Sequence, residues 1–281
     1  CDPAILNYQS NGNKCVVDST KCLPEHVQKY QGVNPEVAGP NCWNLALVMS
    51  KILPNHRYTN EKEFIYYMRP PLCRALKNGE ERRPGDVGAM WDKSSGNYKD
   101  QTHGFVYINE NIVYSKNGLL PMNAYSVQSL AGMSEIFGVS TKSKCFSNQL
   151  NESCDLGTNF YRCESMNEYL NKSKKIPAEL KEAFRESEKF DNCLEKYLLS
   201  ETPLTNQANQ NIRQTATALT KYLEEQRNKS PQAKPNSEEE FMLGALQVRL
   251  GSLHDQLNNL GLYPQEEREL EKLRELISET K

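Results

Sequence analysis

The chain has 281 residues, with 34 Lys and Arg against 36 Asp and Glu, and its formal net charge is −2 at pH 7. Without an excess of one sign, the chain lacks the electrostatic footprint of a nucleic-acid binder or of a protein that binds anionic membranes. Its longest apolar runs, such as residues 45–49, are far shorter than the roughly 20 residues that cross a bilayer, so the sequence predicts no transmembrane segment.

The composition changes near residue 165. Residues before this point contain 12 of the 15 glycines and 8 of the 9 cysteines, whereas the remainder is richer in charged residues and has helical periodicity. We therefore predict three parts: a cysteine-rich N-terminal segment (1–40), a mixed α+β domain (41–165) and a helical region (166–281).

The nine cysteines include no Cys-x-x-Cys pair and no neighbouring histidine at a zinc-ligand spacing. Disulfides are the better interpretation, and because disulfides persist in oxidising compartments, we expect a periplasmic or secreted protein. Nine is odd, so at least one cysteine is free, modified or paired with another chain; the connectivity stays open. Cys1 suggests a lipoprotein, and a lipid anchor there stays an alternative.

Two helices are predicted first in the α+β part. Residues 41–53 have apolar positions on one helical face and Pro54 ends the pattern, which places Cys42 in the first turn. Residues 60–67 form the second predicted helix.

Strands are predicted after these helices. Arg83-Pro84-Gly85-Asp86 is a turn that leads into a strand at 87–91. Residues 103–108 and 112–115 alternate like strands around a turn at 109–111, which predicts an antiparallel hairpin with His103 at its start.

The helical region carries its own start and stop signals. We predict four helices. The first begins near Pro177, the second carries Ile212, Ala216, Leu219 and Leu223, the third begins at a capping box formed by 237–240 and ends at Gly261, and the fourth begins at Pro264. The third helix has an apolar stripe consisting of Met242, Leu246, Leu250, Leu253, Leu257 and Leu260. A small bundle is the main interpretation, and its polar faces are expected to be solvated. A protein partner or self-association through residues 236–279 is the alternative.

A thiol in the first turn of a helix lies at the positive end of the macrodipole, beside backbone N–H groups without helical partners. This position lowers a thiol pKa, and the same N–H groups can donate to the oxyanion of a tetrahedral intermediate. Cys42 is therefore the candidate nucleophile. Of the four histidines, only His103 begins a predicted strand downstream, where it can face a helix end and act as the base.

Three motifs occur in order: Asn41-Cys42-Trp43, Arg83-Pro84-Gly85-Asp86 and His103-Gly104-Phe105-Val106-Tyr107. Their order and spacing resemble the NlpC family of papain-like cysteine hydrolases and, more distantly, the CHAP amidases. The resemblance implies an α+β, papain-like fold whose central antiparallel sheet packs on an N-terminal helix. It also implies that Cys42 is the nucleophile and His103 the general base and acid.

The sequence departs from that family at the third catalytic residue, which orients the imidazole and is usually a histidine, an amide or an acid. The predicted hairpin places Ser115 closest to this position, with Asn117 on the same strand face as the other candidate. A serine hydroxyl orients a histidine less firmly than a carboxylate does, because it contributes no charge. Asp86 is expected to fix its turn rather than join the chemistry.

The resemblance implies an exported cysteine peptidase or amidase that cleaves a peptide or amide bond, chiefly in bacterial peptidoglycan, without a metal or cofactor. In this interpretation aromatic residues line the substrate groove, namely Trp43, Tyr66, Tyr67 and Trp91. Aromatic residues at such positions are part of the hydrophobic core at least as often. One alternative is a weak or inactive NlpC-like binding or scaffold protein that acts through its C-terminal helices. Another is an acyltransferase or thioester-forming enzyme that uses Cys42 and His103 with a different acyl acceptor.

Overall fold

The structure is a computed structural model that describes residues 7–11, 14–18, 21, 25–28, 30–92, 101–138, 156–200, 206–228, 236–261 and 264–278. These residues form an α+β fold. The strands are β1 (Asn7–Asn11), β2 (Lys14–Asp18), β3 (Cys73–Ala75), β4 (Val87–Asp92), β5 (Gln101–Asn109), β6 (Ile112–Lys116), β7 (Tyr125–Ser129) and β8 (Leu156–Cys163). The helices are α1 (Glu25–Gln28), α2 (Cys42–Met49), α3 (Glu61–Tyr67), α4 (Leu130–Ile136), α5 (Met166–Lys172), α6 (Ala178–Ser200), α7 (Asn206–Asn228), α8 (Ser237–Leu260) and α9 (Pro264–Ser278). In the described part of the chain, no helix combines the length and the hydropathy needed to cross a bilayer.

The main sheet has six antiparallel strands in the order β3-β8-β4-β5-β6-β7. Strands β4, β5 and β6 confirm the three predicted strands. Strand β8 enters the sheet between β3 and β4, and a disulfide from Cys73 to Cys163 joins β3 to β8. The N-terminal strands β1 and β2 form a separate two-stranded sheet.

Helix α2 begins where it was predicted but is shorter. The side chain of Asn41 caps it by accepting the amide N–H of Asn44 at 3.0 Å and donating to the Thr59 carbonyl at 2.7 Å. The helix ends at Met49, because Lys51 adopts a left-handed φ of 62° and the chain turns away from the helix axis. Both ends fix Cys42 at the sheet surface.

The sheet has two apolar faces. The first face packs against α2 and continues into a core shared with α3 and the C-terminal helices; it carries Val87, Ala89, Val106, Tyr114 and Tyr125. The second face packs against α4 and carries Met90, Phe105, Val113 and Phe160. This alternation follows from the period of two along a strand, and it decides which side of the sheet each site residue reaches.

The C-terminal helices pack on the α+β part, and the core is continuous across residue 165. The stripe of α8 from Met242 to Leu257 is buried in this core. Two charged helical residues, Asp191 and Arg249, are fully buried together with Arg57 and Glu63, so the prediction of solvated polar faces is wrong at these positions.

The signals that delimit the helices are largely confirmed. Asn60 caps α3, Gly261 ends α8 in the left-handed conformation, and Pro264 begins α9. The capping box of α8 lies one residue earlier than predicted: the side chain of Asn236, not Ser237, caps the helix, and the Glu239 carboxylate accepts the backbone N–H of Asn236 at 2.7 Å.

Candidate active site

Cys42 is a free cysteine at the first position of α2, and only 7% of its surface is exposed. The backbone N–H groups of Gly104, Trp43 and Cys42 itself favour the thiolate and act to lower its pKa. Burial outweighs them and raises the thiol pKa to about 11. The lowered pKa predicted from the helix macrodipole is therefore wrong for the resting site.

Gly104 brings the start of α2 into close contact with β5. A Cβ atom at this residue would lie 3.3 Å from ring atoms of Phe64 and Trp43 and 3.4 Å from the carbonyl oxygen of Cys42. A side chain at this position would therefore push the helix away from the strand. The sequence places this glycine directly after His103.

His103 is 1% exposed, and its Nε2 lies 2.8 Å from the hydroxyl oxygen of Ser115 on the neighbouring strand. The same hydroxyl lies 3.3 Å from the carbonyl oxygen of Gly104. Both contacts are satisfied when Nε2–H donates to Ser115 and the hydroxyl donates to Gly104. Nδ1 then carries the lone pair that a base requires. Burial lowers the pKa of His103 to about 3, which keeps the ring neutral.

The structure brings Cys42 to the backbone beside His103, but it does not join the two side chains. The imidazole stacks on Phe137 with ring centroids 4.0 Å apart, and His103 is paired with Met90 on the second face of the sheet. Helix α2 lies on the first face. Among the described residues, no hydrogen bond connects the thiol to the imidazole.

Of the two candidate orienting residues, Ser115 contacts His103 and Asn117 does not. The amide of Asn117 donates instead to the side chain of Gln128 at 3.1 Å. Asp86 holds its turn by accepting the N–H of Arg83 at 2.7 Å, and it pairs with Arg162 at 2.8 Å.

Two residues near the thiol were not predicted. Lys116 is fully buried, and its charge and that of Cys42 influence each other. Tyr58 also senses the charge of Cys42, although burial is the main reason that its pKa is raised. The strand period could have revealed Lys116, because it lies two residues after Tyr114 and hence on the same inward face.

The aromatic residues proposed for a groove are mostly core. Trp91 and Tyr67 are fully buried, and Tyr66 packs on Phe241 of α8. A cavity of about 410 Å³ opens at the other end of β5, beside Arg83 and Tyr107. The described residues contain no cluster of three or more histidine, cysteine or acidic side chains that could hold a metal ion.

Comparisons of the chain with family models, with curated proteins and with solved structures gave no match. The likeness to papain-like hydrolases therefore depends on the three sequence motifs alone.

Proposed function

We propose that the chain is an exported cysteine hydrolase, a peptidase or amidase with a papain-like fold, that forms an acyl-enzyme on Cys42. The observation that carries this proposal is the free thiol at the first position of α2, where the carbonyl of Cys42 packs against Gly104 of β5. Backbone N–H groups at a helix start can hold the negative charge that develops during acyl transfer.

The reaction begins from two neutral groups. The pKa of Cys42 is raised to about 11 and that of His103 is lowered to about 3, both because of burial, so no thiolate–imidazolium pair exists at rest. The imidazole stacks on Phe137 on the other face of β5, so proton transfer requires the strand around Gly104 to rearrange and bring the ring to Cys42. Ser115 holds the resting ring in the tautomer with an unprotonated Nδ1.

The reaction then proceeds by attack on the carbonyl, loss of the amine and hydrolysis of the thioester. Nδ1 of His103 takes the thiol proton as the sulphur of Cys42 attacks the amide carbonyl, and N–H groups at the start of α2 donate to the oxyanion. The imidazolium returns its proton to the leaving amine as the C–N bond breaks. Water that gives a proton to Nδ1 attacks the thioester, which releases a carboxylic acid and restores the thiol.

The substrate class comes from the family resemblance and from the compartment. Peptide and amide bonds of bacterial peptidoglycan are the principal substrates of the resembled family. The disulfide between Cys73 and Cys163 favours an oxidising compartment such as the periplasm or the exterior, where that polymer is found.

A second candidate function is that of a binding or scaffold protein with little or no activity. The separation of Cys42 and His103 on opposite sides of β5 favours it, as does the low exposure of the thiol. The apolar stripe of α8, which was the predicted surface for a partner, is already buried within the chain, and this argues against partner binding through that stripe.

The test is digestion of purified peptidoglycan by the full chain, with released peptides identified by mass spectrometry. Cys42→Ala should reduce release at least about 10³-fold, since only binding and the oxyanion hole remain. His103→Gln should be similarly impaired. Cys193→Ala, which removes the other free cysteine among the described residues, is the matched control and should retain activity.

Full activity of Cys42→Ala would refute the proposal. Wild-type chain that releases nothing from peptidoglycan or from amide-linked peptides would instead favour the scaffold function.

A further inference from the structure

Lys116 is a fully buried lysine at the end of β6 that none of the predicted chemistry uses. Its ammonium donates to the carbonyl oxygens of Gly118 at 2.7 Å and Leu120 at 3.1 Å. These two acceptors fix the position of the charge but do not neutralise it. A buried charge without a counter-charge is costly, so its retention calls for a reason.

The surroundings of this ammonium provide the reason. Lys116 lies on the same face of β6 as Tyr114, the face that packs on α2, and Cys42 begins that helix. No salt bridge links Lys116 to a carboxylate within the described residues; the ionisable group that couples to its charge is the thiol of Cys42. The charge of Cys42 also contributes to the raised pKa of Tyr58, in the segment before α3, although burial is the main cause.

We propose that Lys116 is a positioning residue that holds a positive charge beside Cys42 and stabilises the thiolate as its proton leaves. This inference rests on the proposed function, in which Cys42 is the nucleophile. It adds a cationic partner that acts through the thiol and is separate from the base.

Proton transfer from the thiol to the imidazole separates charge within the site. The S–H bond of Cys42 breaks, its proton passes to the imidazole of His103, and Lys116 keeps its own proton. An imidazolium and a thiolate appear while the ammonium stays in place, so the net charge of the site does not change. Because the surroundings are of low dielectric and the two carbonyl groups already orient the ammonium, its attraction for the thiolate needs no reorganisation.

The experiment measures the reactivity of Cys42 directly and does not depend on hydrolysis. The native, unreduced chain is treated with iodoacetamide from about pH 6 to 10, and the labelled fraction of the Cys42 peptide is followed by mass spectrometry. In Lys116→Met the labelling rate near neutral pH should fall about tenfold, equivalent to a rise of about one unit in the thiol pKa. Lys116→Arg, which retains the charge, should restore most of the rate.

The matched control is Tyr114→Phe. It removes a buried polar atom from the same face of β6 without changing the charge, and it should label Cys42 at the wild-type rate. Equal labelling of Lys116→Met and wild type, with both chains folded by circular dichroism, would overturn the inference. This result is readable whether or not the chain digests peptidoglycan, so the inference and the proposed function can fail separately.

A second pair of variants guards against misfolding of Lys116→Met. Cys42→Asp places a carboxylate where the thiolate would form, and Cys42→Asn is its neutral counterpart. If Lys116 holds a positive charge there, the Tm of Cys42→Asp relative to Cys42→Asn should fall when Lys116→Gln is added to both chains, because the carboxylate then loses its cation while the cost of losing Lys116 itself cancels. An unchanged Tm difference between the two pairs would contradict the inference.

Discussion

Two buried polar clusters differ in how their charges are balanced. The charge network, which consists of Arg57, Glu63, Asp191 and Arg249, has two positive and two negative side chains that are all fully buried. The thiol site, which consists of Cys42, His103, Ser115 and Lys116, is equally buried but has one cation and no carboxylate. The charges of the network neutralise each other, whereas the cation of the thiol site offsets only part of the cost of forming a buried thiolate.

The charge network also has a clear structural task. Arg57 contacts Glu63 at 2.6 Å and Asp191 at 2.9 Å, and Asp191 pairs in turn with Arg249 of α8. These contacts connect the segment before α3 with two C-terminal helices. The network therefore fixes the helical region to the α+β part that carries Cys42.

The largest expected effect comes from breaking the charge network. Asp191→Asn leaves two buried guanidinium groups with a single carboxylate, and the loss should be about 3–5 kcal/mol in the free energy of unfolding. Guanidinium chloride denaturation followed by circular dichroism measures it. Glu182→Gln on the exposed side of the same helix is the control and should change stability by less than about 0.5 kcal/mol. A loss below about 1 kcal/mol for Asp191→Asn would contradict the role of the network.

An intermediate effect is expected from acid at the thiol site. Burial lowers the pKa of His103 from 6.5 to about 3, so in this interval the unfolded chain binds a proton that the folded chain does not. The stability contributed by neutral His103 is full above pH 6.5 and is lost as the pH falls toward 3, by up to about 1.4 kcal/mol per pH unit.

The measurement is the difference in unfolding free energy between wild type and His103→Gln at several pH values. This difference should shift against the wild type as the pH falls through the interval, because glutamine does not titrate. Parallel pH curves for the two chains would show that His103 is not buried in its neutral form.

The smallest effect on stability is expected from Lys116→Met. The substitution removes an unpaired buried charge together with two hydrogen bonds to Gly118 and Leu120. These changes oppose each other, so the unfolding free energy should stay within about 1 kcal/mol of wild type. A loss as large as that of Asp191→Asn would mean that Lys116 is paired like a member of the charge network, and the contrast between the clusters would disappear.

Local sequence signals were enough to predict the features that short-range interactions determine, namely helix ends and the strands of the hairpin. The start of α2, strands β4 to β6 and the stop at Gly261 follow from capping residues, alternation and glycine, and the structure has them. The contact between Ser115 and His103 also follows from hairpin register, because the two residues lie on paired strands.

Long-range packing decided the rest. Strand β8 inserts between β3 and β4 from a distant part of the chain, and no local pattern reports that pairing. The pKa of Cys42 was predicted from the helix end alone, but burial by the sheet reverses its direction. Asp191 and Arg249 resemble solvated helix residues in sequence, and only the docking of α6, α8 and Arg57 makes them partners.

The central claim is that Cys42 becomes acylated with the help of His103. The most direct measurement is an acid quench of the full chain during reaction with soluble peptidoglycan peptides, followed by mass spectrometry of its proteolytic fragments. The account predicts an acyl adduct on the fragment that contains Cys42, much reduced in His103→Gln and unaffected in Cys193→Ala. Substrate turnover with no adduct on Cys42, or with an adduct on another residue, would contradict it.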